Sequence, residues 1–122
     1  MSKKEVNEKV KPLVLIDNET GERYSLEFSR ESVKFAEARG FAIEDSVKFP
    51  QTKIPDLFYF AFRKNHRNIS RERTDRMLYD DLQGLSTAAI ERLLMLYQEP
   101  QNALIRTDED GEPKNARMTV EL

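Results

Sequence analysis

The stretch Ile54-Pro-Asp-Leu-Phe-Tyr-Phe-Ala-Phe-Arg-Lys-Asn-His66 holds a large share of the aromatic residues of a chain that is only 9% aromatic. Ile54, Leu57, Phe58, Ala61 and Phe62 recur at the i, i+3, i+4, i+7, i+8 spacing of one helical face. Pro55 falls where a first-turn proline costs nothing. Tyr59 and Phe60 lie off that stripe, because at about 100° per residue they point to the other side. A surface helix needs one apolar face only. This helix is therefore buried on two sides or meets a partner, and a central core helix of a small α-rich domain is the preferred alternative.

The rest of the chain sets the frame for that helix. Its 122 residues make one domain with a modest core. Apolar content is 39% and charged content 34%, which places part of the chain outside the fold. The net charge of −2 gives no general drive toward nucleic acid or anionic membrane. With no cysteine, disulfides and thiolate zinc sites are excluded and a cytosolic setting is natural. No apolar run approaches a membrane span, and Met-Ser-Lys-Lys-Glu-Val-Asn-Glu has no signal-peptide core, so the expected location is inside the cell that makes the protein.

In chain order, residues 1–12 are charged, aperiodic and end in Pro12, which reads as a flexible arm. Leu13-Val-Leu-Ile16 reads as a strand, and Asp17-Asn-Glu-Thr-Gly21 as a turn with Gly21 available for a positive φ. In Arg23-Tyr-Ser-Leu-Glu-Phe28 strict alternation sends Tyr24, Leu26 and Phe28 to one side, so the two strands make a β-hairpin. A lone hairpin is marginal in water, so its apolar face must lie on helices or on another chain. Ser29 caps a helix over 30–39 that stops at Gly40 with Phe41 as the accompanying apolar contact. Residues 42–53 read as a connector with a short Ile43-Glu-Asp-Ser turn, and Pro50 forbids a helix through it. Ser70 caps a third helix over 71–83, stopped by Gly84. Ser86 or Thr87 caps a fourth over 88–98, ended by Pro100, with Ile90, Leu93, Leu94 and Tyr97 as its stripe. Met95 and Leu96 lie off that stripe. Asn102-Ala-Leu-Ile105 closes the compact part, and 106–122 reads as an acidic, disordered tail with at most a transient strand at Met118-Thr-Val120.

Little in the chain suggests chemistry. His66 sits beside Arg63, Lys64 and Arg67, cations that work against metal binding, and reads as a surface histidine. The four glycines stand alone, so no phosphate loop exists, and no nucleophile elbow is present. Asp80 and Asp81 diverge on a helix, and Asp17, Glu19 and Glu22 lack the spacing of a calcium loop. No catalytic, metal or cofactor residue is expected. A basic segment of Arg63, Lys64, Arg67, Arg71, Arg73 and Arg76 offers a phosphate-contacting surface. The preferred alternative is a solvated face or one that meets acidic segments, because the last helix would show Met95 and Leu96 rather than base-reading groups.

The order of segments nevertheless resembles a known family. A hairpin ends in Tyr24-Ser-Leu-Glu-Phe-Ser-Arg-Glu-Ser-Val33, and a helix ends in Glu37-Ala-Arg-Gly-Phe41. The aromatic helix and a basic break follow, and the last helix reads Ile90-Glu-Arg-Leu-Leu-Met-Leu-Tyr97. Over 13–105 this resembles the small tail assembly chaperones of long-tailed, non-contractile phages and prophages. The resemblance implies a non-enzymatic role in the cytoplasm of a bacterial host. Such a chaperone binds the apolar, helical tape measure protein, keeps it soluble and helps recruit tail tube subunits, then leaves before the virion matures. It implies self-association, and a chain matching the short product where a ribosomal frameshift makes a longer one.

The expected fold is α+β, predominantly α, with an N-terminal β-hairpin on a compact bundle of about four helices. A chaperone needs apolar surface beyond its own core, and Tyr59, Phe60, Met95 and Leu96 are the expected partner-binding residues, methionine being suited to adaptable contact. The other functional class is a small nucleic-acid-binding regulator using 63–76.

Overall fold

A computed structural model describes residues 9–105 and 115–122. Its first element is shaped by one carboxylate. Asp17 Oδ1 accepts the N–H groups of Glu19 at 2.8 Å and Thr20 at 3.1 Å, and Gly21 takes φ 78°. This Asx turn joins β1 (Leu13–Ile16) to β2 (Arg23–Leu26), paired antiparallel with Leu13 opposite Leu26 and Ile16 opposite Arg23. As the alternation requires, Tyr24, Leu26 and Phe28 are buried, while Val14 and Ile16 are exposed on the other face.

Helix α1 (Arg30–Ala38) begins in a capping box: Ser29 Oγ accepts from Ser32 N–H, and Ser32 Oγ accepts from Ser29 N–H at 2.8 Å. It ends in a Schellman motif, with Gly40 at φ 83° and bonds from Phe41 N–H to the Ala36 carbonyl and from Gly40 N–H to Glu37. Phe41 is buried, as its position after that glycine implied.

The connector holds a short helix, α2 (Asp45–Lys48), where a turn was expected. The aromatic helix α3 spans Pro50–Phe60. It therefore begins at Pro50, and Pro55 lies in its interior rather than in its first turn. Past Phe60 the chain tightens: Phe62 N–H bonds to Tyr59 and Arg63 N–H to Phe60, three residues back. That tightening ends the 3.6-residue period on which the sequence stripe depended.

Helix α4 (Arg71–Arg76), capped by Ser70, runs straight into a π-helical segment, Met77–Asp81. Leu82 N–H reaches the Met77 carbonyl at 2.7 Å, and Gln83 and Gly84 take φ 56° and 98°. The expected single α-helix to residue 83 is thus α-helical for its first half only. The widened turn keeps Met77 and Leu78 buried and leaves Tyr79 and Leu82 outside.

Helix α5 (Thr87–Leu104), capped by Ser86, does not stop at Pro100. Proline removes one i→i−4 bond, and the helix continues through it. Residues 102–105 are exposed, so they do not close the compact part as expected. Helix α5 packs against α1, α3 and β1. Between them Phe28 and Phe41 both meet the Tyr97 ring edge-on, at 5.0 and 5.3 Å between centroids, and Phe58 meets Phe62 at 5.1 Å.

The fold is α+β and mainly α, a hairpin on a helical body as expected. Packing starts before residue 13: Val10 lies against the core, and its N–H donates to the Glu99 carboxylate at 2.6 Å. The rest of the expected arm, 1–8, and residues 106–114 of the expected acidic tail lie outside the described residues. Residues 115–122 are exposed and form no strand at Met118–Val120.

Candidate functional site

The four residues expected to meet a partner do not share a surface. Phe60 is buried at 6% exposure, its ring 6.0 Å from Phe35 and 5.6 Å from Phe41. Leu96 is buried at 1%. Both are core residues, which corrects their assignment as displayed contacts. The reason is tertiary. Helix α1 covers the side of α3 that carries Phe60, and α5 is packed from more than one direction, so residues off its main stripe are enclosed too. Tyr59 is half-buried, with the Arg71 guanidinium 5.7 Å from its ring centroid. Only Met95 stands open, at 52%.

The basic segment is largely matched by the chain's own acids. Arg63 lies 3.4 Å and Arg67 4.0 Å from Glu31, and Lys64 lies 3.3 Å from Glu27. Arg71 reaches Asp56 and Asp75, each at 2.9 Å. Arg73 donates to the Tyr24 hydroxyl at 3.0 Å. Arg76 is exposed, with no ion pair among the described residues. The Phe35 ring has the guanidinium carbons of Arg39 and Arg63 each 3.5 Å from its centroid, a separation that requires them on opposite faces. These cations brace α3 and α4 against β2 and α1.

His66 is part of that bracing rather than a surface residue. Its Nε2 accepts the Ser25 N–H at 3.1 Å, and its ring lies 5.3 Å from Tyr24 and 6.0 Å from Phe62. Beside it, Asn65 Nδ2 donates to the Ser25 carbonyl and to Glu27, both at 3.0 Å. The Asn65 amide and Lys64 hold the Glu27 carboxyl below its usual range.

A groove of about 340 Å³ runs beside β1 and the turn, lined by Leu15, Ile16, Asp17, Arg73, Met77 and Leu82 among others. The backbone N–H groups of Glu19 and Thr20 lower the Asp17 pKa, and burial raises that of Tyr24. Neither is poised as an acid or base near neutrality. Among the described residues no cluster of His, Asp and Glu has the makings of a metal site, and no helix is long and apolar enough to cross a membrane.

The sequence reading missed the residues that are in fact displayed. Leu104 is 80% and Ile105 61% exposed at the end of α5, Val47 is 87% exposed within α2, and Phe49 is 56% exposed between α2 and α3. Leu104 follows Leu93 by 104 − 93 = 11 residues, about three turns. It therefore continues the stripe of Leu93, Tyr97 and Pro100 past the body that buries it. That spacing was available in the sequence and was hidden by reading Pro100 as a stop.

Residues 1–122 match the family described as Domain of unknown function (DUF5055), and the chain belongs to it. No curated protein and no solved structure matches the chain.

Proposed function

We propose that this protein is a non-enzymatic tail assembly chaperone of a long-tailed, non-contractile phage or prophage. In this reading it acts in the cytoplasm of the bacterial host and is absent from the mature virion. It holds the apolar helical tape measure protein in solution and promotes assembly of the tail tube around it. The tube protein is met indirectly or through a longer frameshift product. The reading rests on the resemblance in segment order.

One observation favours it beyond that order. The apolar stripe of α5 outruns the domain to Leu104, and among the described residues nothing covers Leu104 or Ile105 just after it. An apolar helix face without a partner is the kind of surface that receives another amphipathic helix. The client contact is accordingly assigned to Leu104 and Ile105 in place of Phe60 and Leu96; Met95, 104 − 95 = 9 residues before Leu104, lies on the opposite side of α5 and outside that contact. Co-expression with a tape measure gene, followed by co-purification, tests the reading. A soluble complex is the expected result, and Leu104→Asp with Ile105→Asp should abolish it.

A further inference from the structure

The hairpin has one closed edge and one open edge. Ser25, in the middle of β2, has its N–H taken up by His66 Nε2 and its carbonyl by Asn65. Both groups point away from β1. Opposed residues in an antiparallel ladder alternate between exchanging hydrogen bonds and not exchanging them. Val14, opposite Ser25, therefore turns its own N–H and C=O outward. Among the described residues nothing bonds to that edge, and Val14 and Ile16 beside it are 41% and 52% exposed.

The chain carries a segment of matching character. Arg117-Met-Thr-Val-Glu-Leu122 alternates strictly, with Met118, Val120 and Leu122 on one side. Met118 is 84% and Val120 73% exposed. We infer that residues 117–122 of a second copy add to β1 as a third, antiparallel strand. With Arg117 opposite Asp17, Met118 falls opposite Ile16 and Val120 opposite Val14, so all four apolar side chains share one face. The same register makes Val14 and Val120 a hydrogen-bonded pair, as the outward groups of Val14 require.

The balance of charge at the two ends favours this direction. At the turn end the groove is lined by Asp17, Glu19 and Asp81 against one cation, Arg73, so its charge is net negative and suits Arg117. At the other end Lys9 and Lys11 are exposed on either side of Val10, whose N–H holds the carboxylate of Glu99, so two cations against that acid suit Glu121. A parallel strand would set Arg117 against the lysines and Glu121 against the acids. Like charges brought together in this way disfavour a pairing. The inference stands on the hairpin and does not depend on the chaperone reading.

The chain has no cysteine, so introduced thiols report without background. Separate Val14→Cys and Val120→Cys full-length proteins, mixed and oxidised, are expected to give a disulfide-linked dimer. Val14→Cys with Thr119→Cys, whose side chain faces the opposite side of the strand, should give much less. Light scattering on the unmodified chain should show a mass of at least a dimer, and Val120→Pro should reduce it to a monomer with unchanged circular dichroism. A monomer at all concentrations, an assembly indifferent to Val120→Pro, or equal cross-linking through residue 119 overturns the inference. So does a bond that forms only within one chain carrying both cysteines, which would mean that the segment folds back on its own hairpin.

Discussion

The backbone N–H of Ser25 donates to Nε2 of His66 at 3.1 Å, across a sequence separation of 41 residues. This bond, with that of Asn65 beside it, fastens the hairpin to the end of the aromatic helix. A two-stranded hairpin has little stability of its own, so it depends on this clamp together with the burial of Tyr24, Leu26 and Phe28. Replacing His66 with Ala removes one hydrogen bond and two aromatic contacts. An expected loss of about 1–3 kcal/mol follows from those terms, read from denaturant unfolding. Amide exchange in β1 and β2 should rise more than in α5, since the hairpin is the part released.

Phe60→Asp and Leu96→Asp should each unfold the domain. Truncating a buried aromatic or leucine costs about 2–5 kcal/mol, and an unpaired buried carboxylate adds to that. Domains of this size have about 5–15 kcal/mol in total. Loss of helical circular dichroism in both single variants is the expected result. Met95→Asp, at an exposed position, should leave the transition within about 0.5 kcal/mol.

Burial, with Glu37 and Glu44 nearby, pushes the Tyr97 phenol up to about 12 from 10.0. The folded state thus holds the proton more tightly than the unfolded state. That contribution is whole below about pH 10 and is lost as pH rises through about 12. Tyr97→Phe should flatten this alkaline fall while retaining stability at neutral pH. Glu27 acts at the other end. Its lowered pKa gives stability that is present above its ordinary 4.5 and lost as pH falls through the lower folded value. Glu27→Gln should make acid unfolding less steep.

Much of the fold could be read locally. Ser29, Ser70 and Ser86 cap the helices they were expected to cap, and Gly21, Gly40 and Gly84 take positive φ where turns or stops were expected. These are short-range rules in which one side chain satisfies a nearby backbone group. What failed was tertiary. Pro55 sits inside a helix because packing of its buried surroundings outweighs the bond it removes, whereas α5 continues through Pro100 although the turn beyond it is exposed. The α-to-π change at Met77 has no plain local signal, and the Asn65–His66 clamp on β2 joins positions about 40 residues apart. Periodicity identified Phe60 and Leu96 as surplus, but it could not tell that α1 and the neighbours of α5 would cover them.

Pro100 leaves the Leu96 carbonyl without its usual helical donor. Pro100→Ala should restore that bond and stabilise the last turns of α5 by about 1–3 kcal/mol. Slower amide exchange over 100–105 and a higher Tm are the expected readings.

The proposed chaperone role is best tested by co-expressing the chain with a tape measure protein and measuring the mass of what co-purifies. The account predicts a soluble complex that disappears when Leu104 and Ile105 are changed to Asp, in a variant whose circular dichroism matches the parent. A client that remains insoluble while this protein purifies without it would contradict the account.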